Sequence, residues 1–104
     1  MRSQQERWLP RVLAQVRECA ILGRVAFTEK ARQELRGLDI GLEEEDARLI
    51  LMNLTAEDYS CRLGSRGSGE WMYIFKPRIL GSRLYLKLAL RTACVVISFH
   101  HDRE

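Results

Sequence analysis

The sequence lacks any run of about 18 apolar residues, which is the length that a membrane-spanning helix needs. Its first ten residues, MRSQQERWLP, also lack the apolar stretch of a signal peptide. Cysteine is scarce and odd in number, because only Cys19, Cys61 and Cys94 are present and no two of them form a CxxC motif. These absences predict a cytoplasmic protein with free thiols, no metal site, no cofactor and no membrane partner.

Acidic residues are almost missing from one segment. Glu70 is the only acid between residues 59 and 101, so that segment has a net charge of +6 in a chain whose total is +3. The first 53 residues are balanced, with nine bases and nine acids. A positive field on one structural unit favours contact with polyanionic phosphate. The basic residues of the segment are Arg62, Arg66, Lys76, Arg78, Arg83, Lys87 and Arg91.

The length of 104 residues predicts a single domain over residues 1–104. Apolar spacing and capping residues predict helices in the first half, with Thr28 as an N-cap and Gly23 and Gly37 as stops. The acids at residues 43–46 complement the positive end of a helix dipole and need not form a ligand cluster. The predicted helices cover residues 5–22, 29–37 and 43–53, with a short extended piece at 25–27.

The apolar period changes to two after a capped turn at residues 55–58, and this change predicts strands. Helices first and strands last are typical of an α+β fold. We therefore predict two to three N-terminal helices packed on one face of a C-terminal antiparallel β-sheet. The predicted strands cover residues 59–66, 70–76, 83–91 and 94–100.

Alternation along each strand assigns the side chains to two faces. Leu84, Leu86, Leu88 and Leu90 are predicted to face the helices, and we call the opposite side of the sheet the open face. Counting by twos puts Tyr59, Cys61, Leu63, Trp71, Tyr73, Phe75, Ala93, Val95, Ile97 and Phe99 in the core. The same counting puts Arg62, Arg66, Met72, Lys76, Arg83, Tyr85, Lys87, Arg91, Cys94, Val96, Ser98 and His100 on the open face.

The open face predicted in this way has charge of nearly one sign, whereas solvated faces normally mix both signs. This favours binding of nucleic acid or another polyanion over a face that only keeps the protein soluble. Tyr85 alone is consistent with a structural strand tyrosine, but its basic neighbours favour stacking on a base or bonding to a phosphate. His100 alone is consistent with an exposed residue at a strand end or with an acid–base catalyst.

A series of short motifs resembles the MqsR toxins of bacterial toxin–antitoxin pairs. The similarity covers essentially the whole chain and is strongest over residues 54–100. It implies a RelE-like fold and a metal-independent endoribonuclease that cuts mRNA, inhibits translation and acts as a type II toxin in the bacterial cytoplasm. It also implies an MqsA-like antitoxin partner with a zinc-binding part and a helix-turn-helix part. The motifs are LTAEDY at 54–59, Trp71, FKPR at 75–78, LYLK at 84–87 and VVISFH at 95–100.

The resemblance implies a catalytic set of a lysine, a glutamine, a tyrosine and a second lysine. By position, the tyrosine falls on Tyr85 and the second lysine on His100. The glutamine falls on Met72 and the first lysine on Cys61, so one of the four is retained in kind. Strand parity instead assigns the role of the first lysine to Arg62.

We therefore predict a catalytic set of Tyr85, His100, Arg62 and Lys87. Histidine suits proton transfer near neutrality, and guanidinium and ammonium groups suit phosphate. Two alternatives stay open: an RNA- or ribosome-binding inhibitor that does not cleave, and a regulatory nucleic-acid-binding module. A DNA regulator is disfavoured, because no helix-turn-helix pattern is present and the charge lies on strands. The predicted RNA contacts are Arg66, Met72, Lys76, Arg78, Arg83 and Arg91.

Overall fold

A computed structural model describes residues 6–103 and shows three helices followed, with one exception, by the strands. The helices are α1 (Leu9–Ile21), α2 (Glu29–Gly37) and α3 (Glu44–Met52). The strands are β1 (Val25–Phe27), β2 (Tyr59–Gly64), β3 (Trp71–Phe75), β4 (Arg78–Ile79), β5 (Ser82–Leu90) and β6 (Cys94–His101). The predicted α+β class is confirmed. Residue 5, the predicted start of the first helix, lies outside the described residues.

One mixed sheet contains the strands in the order β1-β6-β5-β3-β2, and β4 pairs with β5. Every described pairing is antiparallel except that of β1, which runs parallel to β6 and aligns Val25 with Cys94. The prediction of a purely antiparallel, C-terminal sheet is therefore wrong at one edge. The extended piece from the helical half joins the sheet because it supplies partners for the outer backbone groups of β6.

The second and third helices match their predicted bounds to within one residue, whereas α1 begins at Leu9 and the described residues 6–8, predicted as helix, form a turn. Thr28 caps α2, because its hydroxyl accepts a hydrogen bond of 3.1 Å from the backbone N–H of Ala31. Gly23 follows α1 with a φ of +75°, a conformation that favours glycine at a helix C-terminus. At α3 the backbone N–H of Glu43 donates to Asp46 at 2.8 Å, so an acid of the first turn caps the helix.

Among residues 6–103, no helix combines the length and the apolar character that a membrane span requires.

The main core lies between the helices and one face of the sheet. Leu84, Leu86 and Leu88 of β5 are completely buried there, which confirms the predicted alternation. Ile74 and Ala89 are also buried, yet they lie outside this core on the open face. The helix residues buried in the core include Val12, Val16, Ala20, Ala31, Leu35, Ala47 and Leu51.

A β-bulge at the start of β2 reverses the predicted faces of that strand. The register pairs Tyr59 with Phe75 but Cys61 with Ile74, so one extra residue lies between them. Tyr59 therefore faces the core as predicted, whereas Cys61 turns to the open face. The predictions of Cys61 in the core and Arg62 on the open face are wrong, because alternation fails across a bulge.

A second bulge reverses part of β6. Lys87 pairs with Ser98 and Leu88 pairs with Val96, which leaves Ile97 as the extra residue. Cys94 and Val96 are consequently buried in the core, against the prediction, and Val95 lies on the open face opposite Ala89. Beyond the bulge the predicted faces of Phe99, Ser98 and His100 are confirmed.

The segment between β1 and α2 holds this bulge in place. The backbone N–H of Thr28 donates to the carbonyl of Val96 at 3.0 Å. The hydroxyl of Thr28 donates to the carbonyl of Ile97 at 3.3 Å. Both carbonyls at the bulge thus accept hydrogen bonds from a segment nearly 70 residues away in sequence. No local sequence pattern could predict this contact.

The turn between β4 and β5 offers a stabilising substitution. Its two residues, Leu80 and Gly81, have φ values of 52° and 83°, as a tight hairpin turn requires. Leucine is strained there by about 1–2 kcal/mol, whereas asparagine adopts this conformation more readily. We expect Leu80→Asn to raise the free energy of unfolding by about 1 kcal/mol in urea denaturation. Leu49→Asn is the control, because Leu49 is exposed in a regular helix, and it should give no gain. An equal or lower stability for Leu80→Asn would contradict this account.

Candidate nucleic-acid interface

The strand register arranges the side chains of the open face in rows across the sheet. An apolar row crosses four strands through Leu63, Met72, Ala89 and Val95. The next row contains Cys61, Ile74, Lys87 and Ser98. A third row contains Tyr85 and His100, with Lys76 beside them at the end of β3. Polarity thus increases along the strands toward the end that carries the histidine.

Tyr85 and His100 form the centre of the polar end. Their rings are stacked with centroids 4.8 Å apart and an interplanar angle of 6°. Nδ1 of His100 lies 2.7 Å from the carbonyl oxygen of His101. A carbonyl only accepts, so Nδ1 donates to it, and Nε2 carries the lone pair when the ring is neutral. The prediction that these two residues lie on the same face of the sheet is confirmed.

Positive charge lies near the tyrosine. Lys76 places Nζ 6.0 Å from the centre of the Tyr85 ring. Partial burial raises the pKa of Tyr85 above its ordinary value, the neighbouring Cys61 adds to the rise, and Lys76 and Lys30 oppose it. With its pKa raised, the phenol is protonated at neutral pH and serves as a hydrogen-bonding group, not as a base.

Lys30 reaches this site from α2. Its Nζ donates to Ser98 Oγ at 3.0 Å and pairs with Glu34 Oε2 at 2.9 Å. Glu34 also accepts the backbone N–H of Phe99 through Oε1 at 2.9 Å. Burial would raise the pKa of Glu34, but the bonds from Phe99 and Lys30 outweigh it and hold that pKa below the usual range. The ionised carboxylate therefore fastens α2 to the edge of β6 and keeps Lys30 beside the open face.

The positive charge of the open face is partly neutralised. Arg91 makes two hydrogen bonds to Glu70, at 2.8 and 3.0 Å, so the one acid of the basic segment offsets a predicted RNA contact. Hydrogen bonding to Arg91 lowers the pKa of Glu70 below its ordinary value. Lys76 lies 3.4 Å from a carboxylate oxygen of Asp102. The face is thus less basic than the residue count between 59 and 101 indicates.

Arg62 lies on the helix side of the sheet, away from this cluster. Its guanidinium carbon is 4.4 Å from the ring centre of Trp8 and 3.8 Å from that of Trp71. Arginine over an aromatic face is a stabilising cation–π arrangement. The role that the structure supports for Arg62 is therefore to join the segment before α1 to β2 and β3. The prediction that Arg62 shares the open face with Tyr85 is wrong, because the bulge in β2 turns Arg62 to the other side of the sheet.

Among the remaining predicted RNA contacts, the three arginines lie at the margins of the sheet and Met72 lies in the apolar row. Arg66 is exposed in the β2–β3 loop, and Met72 is on the open face as predicted. Arg78 and Arg83 are exposed cross-strand neighbours. Like charges directly opposite each other destabilise a sheet unless an anion relieves the repulsion, so this pair suits a phosphate. Arg78 also lines a groove of about 270 Å³ with residues of α3, outside the cluster around Tyr85.

Sequence reasoning missed three residues of the site. Lys30 is 68 residues from Ser98, so no local pattern could pair them. Cys61 was excluded by counting across a bulge. Asp102 lies one residue beyond the basic segment. The only local signal that could have indicated it is its position directly after the two histidines.

The structure thus defines an α+β protein whose mixed sheet presents lysines around a stacked tyrosine and histidine. No protein-family model matches the chain, and no curated protein matches it.

Proposed function

We propose that the protein is a metal-independent endoribonuclease that cuts mRNA and acts as the toxin of a bacterial type II toxin–antitoxin pair. The observation that carries the proposal is the cluster of Lys30, Lys76, Tyr85 and His100 at one end of the open face. The sequence resemblance to the MqsR toxins supports the same activity and a RelE-like fold. It also supports an MqsA-like antitoxin as the protein partner and the cytoplasm as the site of action.

RNA cleavage without a metal uses the neighbouring 2′-hydroxyl as the nucleophile. Nε2 of His100 removes its proton, the O2′–P bond forms and the P–O5′ bond breaks. The products are a 2′,3′-cyclic phosphate and a 5′-hydroxyl: the leaving O5′ takes up a proton from the solvent, and the imidazolium of His100 returns its proton to the solvent. The ammonium groups of Lys76 and Lys30 neutralise the charge that develops on the phosphorane oxygens. The protonated phenol of Tyr85 donates a hydrogen bond to one of them.

The test is cleavage of a defined mRNA by purified protein in EDTA, with the ends of the products mapped. Specific cuts that end in cyclic phosphate are expected. Tyr85→Phe should lower the rate about tenfold or more, because it removes a hydrogen bond to a charged group worth about 1.5–3 kcal/mol. Tyr73→Phe is the matched control, since Tyr73 packs against the core on the other side of the sheet. Absence of specific cuts, or equal loss in both variants, would contradict the proposal.

A non-cleaving RNA-binding inhibitor of translation is the second candidate. Cys61 and Met72 favour it, because both lie on the open face at the positions where the resemblance implies a lysine and a glutamine. Such a protein should bind RNA with an affinity that falls linearly with salt on logarithmic axes. Tight binding of this kind with intact RNA at the end of the assay would support the second candidate over the first.

A further inference from the structure

Asp102 is a buried carboxylate at the edge of the proposed RNA site. It follows β6 directly, and its backbone N–H donates to the carbonyl of Arg83 at 2.9 Å. Its side chain is 5% exposed. Oδ1 lies 3.4 Å from Nζ of Lys76, whereas no described residue hydrogen-bonds the buried Oδ2. Among the described residues, Lys76 is thus its one ion-pair partner.

A carboxylate in this position costs stability. Removal of its hydration is repaid only by good pairing, and here one oxygen lies at 3.4 Å from its partner and the other has none. Replacing a whole buried ion pair by apolar residues is often neutral or stabilising, so a pair of this geometry is weak evidence for a stabilising role. The stability of the fold therefore does not explain why an aspartate occupies position 102. The interaction that remains to explain it is the ion pair with Lys76.

Lys76 needs such a partner in order to have a defined position. Its side chain has four rotatable methylene bonds, and holding a lysine still costs about 2 kcal/mol of rotamer entropy. The side chain is 23% exposed, and its Nζ lies 3.4 Å from Oδ1 of Asp102 and 6.0 Å from the centre of the Tyr85 ring. The hydrogen bond to Arg83 holds the backbone of Asp102, and burial restricts its side chain, so the carboxylate is an anchor for the ammonium group.

We propose that Asp102 is a positioning residue, which fixes the ammonium group of Lys76 beside Tyr85 before RNA arrives. This inference rests on the proposed function. A preorganised cation stabilises the transition state without reorganising during the reaction. The carboxylate also repels the RNA backbone, so it weakens binding of the substrate. Asp102 should therefore act in opposite directions on turnover and on affinity.

The kinetic experiment uses Asp102→Asn in the full-length protein, with mRNA in EDTA. We expect kcat to fall about tenfold or more, since small misplacements of a catalytic group have effects of that size. The dissociation constant for RNA should stay equal or become lower. In a Lys76→Ala background, Asp102→Asn should have no further effect on kcat. Asp39→Asn is the control, because Asp39 is 90% exposed beside His101 and loses the same charge.

A merely structural role would give a different pattern. Parallel losses of kcat and affinity, or an undiminished effect in the Lys76→Ala background, would overturn the inference. Asp102→Ser, which keeps a short polar side chain without the charge, replaces Asp102→Asn if that variant does not fold.

A measurement without RNA separates this inference from the proposed function. Failure of the wild-type protein to cut RNA would contradict the endoribonuclease. The position of Lys76 can still be measured by mass spectrometry after brief acylation with an amine reagent. Asp102→Asn should raise the labelling of Lys76 relative to Lys87, an internal reference on the same face. An unchanged ratio would overturn the positioning role whatever the activity.

Discussion

Replacing His100 with alanine is expected to lower the rate of mRNA cleavage at neutral pH by about 100-fold or more, because general acid–base catalysis contributes about 10²–10⁴-fold. The geometry supports a loss of this size. Nδ1 of His100 is occupied by the carbonyl of His101 at 2.7 Å, so only Nε2 is available to the substrate. The stack on Tyr85 then sets the plane in which Nε2 points. Alanine removes the proton acceptor and leaves the lysines in place, so RNA affinity should change little.

The adjacent histidine provides the matched control. His101 pairs with Leu84 and faces the helix side, where its Nε2 lies 3.5 Å from Asp39. His101→Ala keeps the backbone carbonyl that accepts from His100, so cleavage should stay close to the wild-type rate. The measurements are initial rates of cleavage of one defined mRNA by the wild type and the two variants, together with their RNA affinities. Equal rates for His100→Ala and wild type would remove histidine from the mechanism.

Removing the ammonium groups of Lys30 and Lys87 together is expected to lower RNA affinity about 25-fold in about 0.1 M salt. Each phosphate contact to a single strand contributes about 0.7 to the slope of log affinity against log salt, so two lost contacts reduce the slope by about 1.4. Lys87 is central on β5, with Ser98 as its cross-strand neighbour, and Lys30 bonds to that same serine. The two lysines therefore act on one stretch of RNA backbone.

Arg11→Ala with Arg17→Ala is the control for net charge. Both arginines are exposed on α1, which packs on the opposite side of the sheet, and the double variant loses the same two charges. Its affinity and its salt slope should stay close to the wild-type values if RNA binds the open face. Titration of fluorescent RNA at several salt concentrations measures both quantities. Equal losses in the two double variants would mean that RNA binding depends on total charge and not on this face.

The helix ends and the core of β5 could be predicted because their causes are local. Thr28 bonds to a backbone group three residues away, and Gly23 relieves a strain within its own residue. The alternation of Leu84, Leu86 and Leu88 needs only the geometry of one extended strand. The faces of Arg62 and Val95 could not be predicted in this way. The face of Arg62 depends on the bulge that precedes it in β2, and the face of Val95 depends on the bulge that follows it in β6.

Local sequence signals predict the order of the helices and of the strands other than β4, the apolar face of β5 and the excess of positive charge on the strands. Tertiary structure alone decided which charges meet. It joined β1 to β6, and it brought Lys30 to Ser98 across 68 residues. It also paired Arg91 with Glu70 and set Asp102 beside Lys76. The physical reason is range: capping and alternation act within a few residues, whereas bulges, ion pairs and stacked rings form only after distant segments pack together.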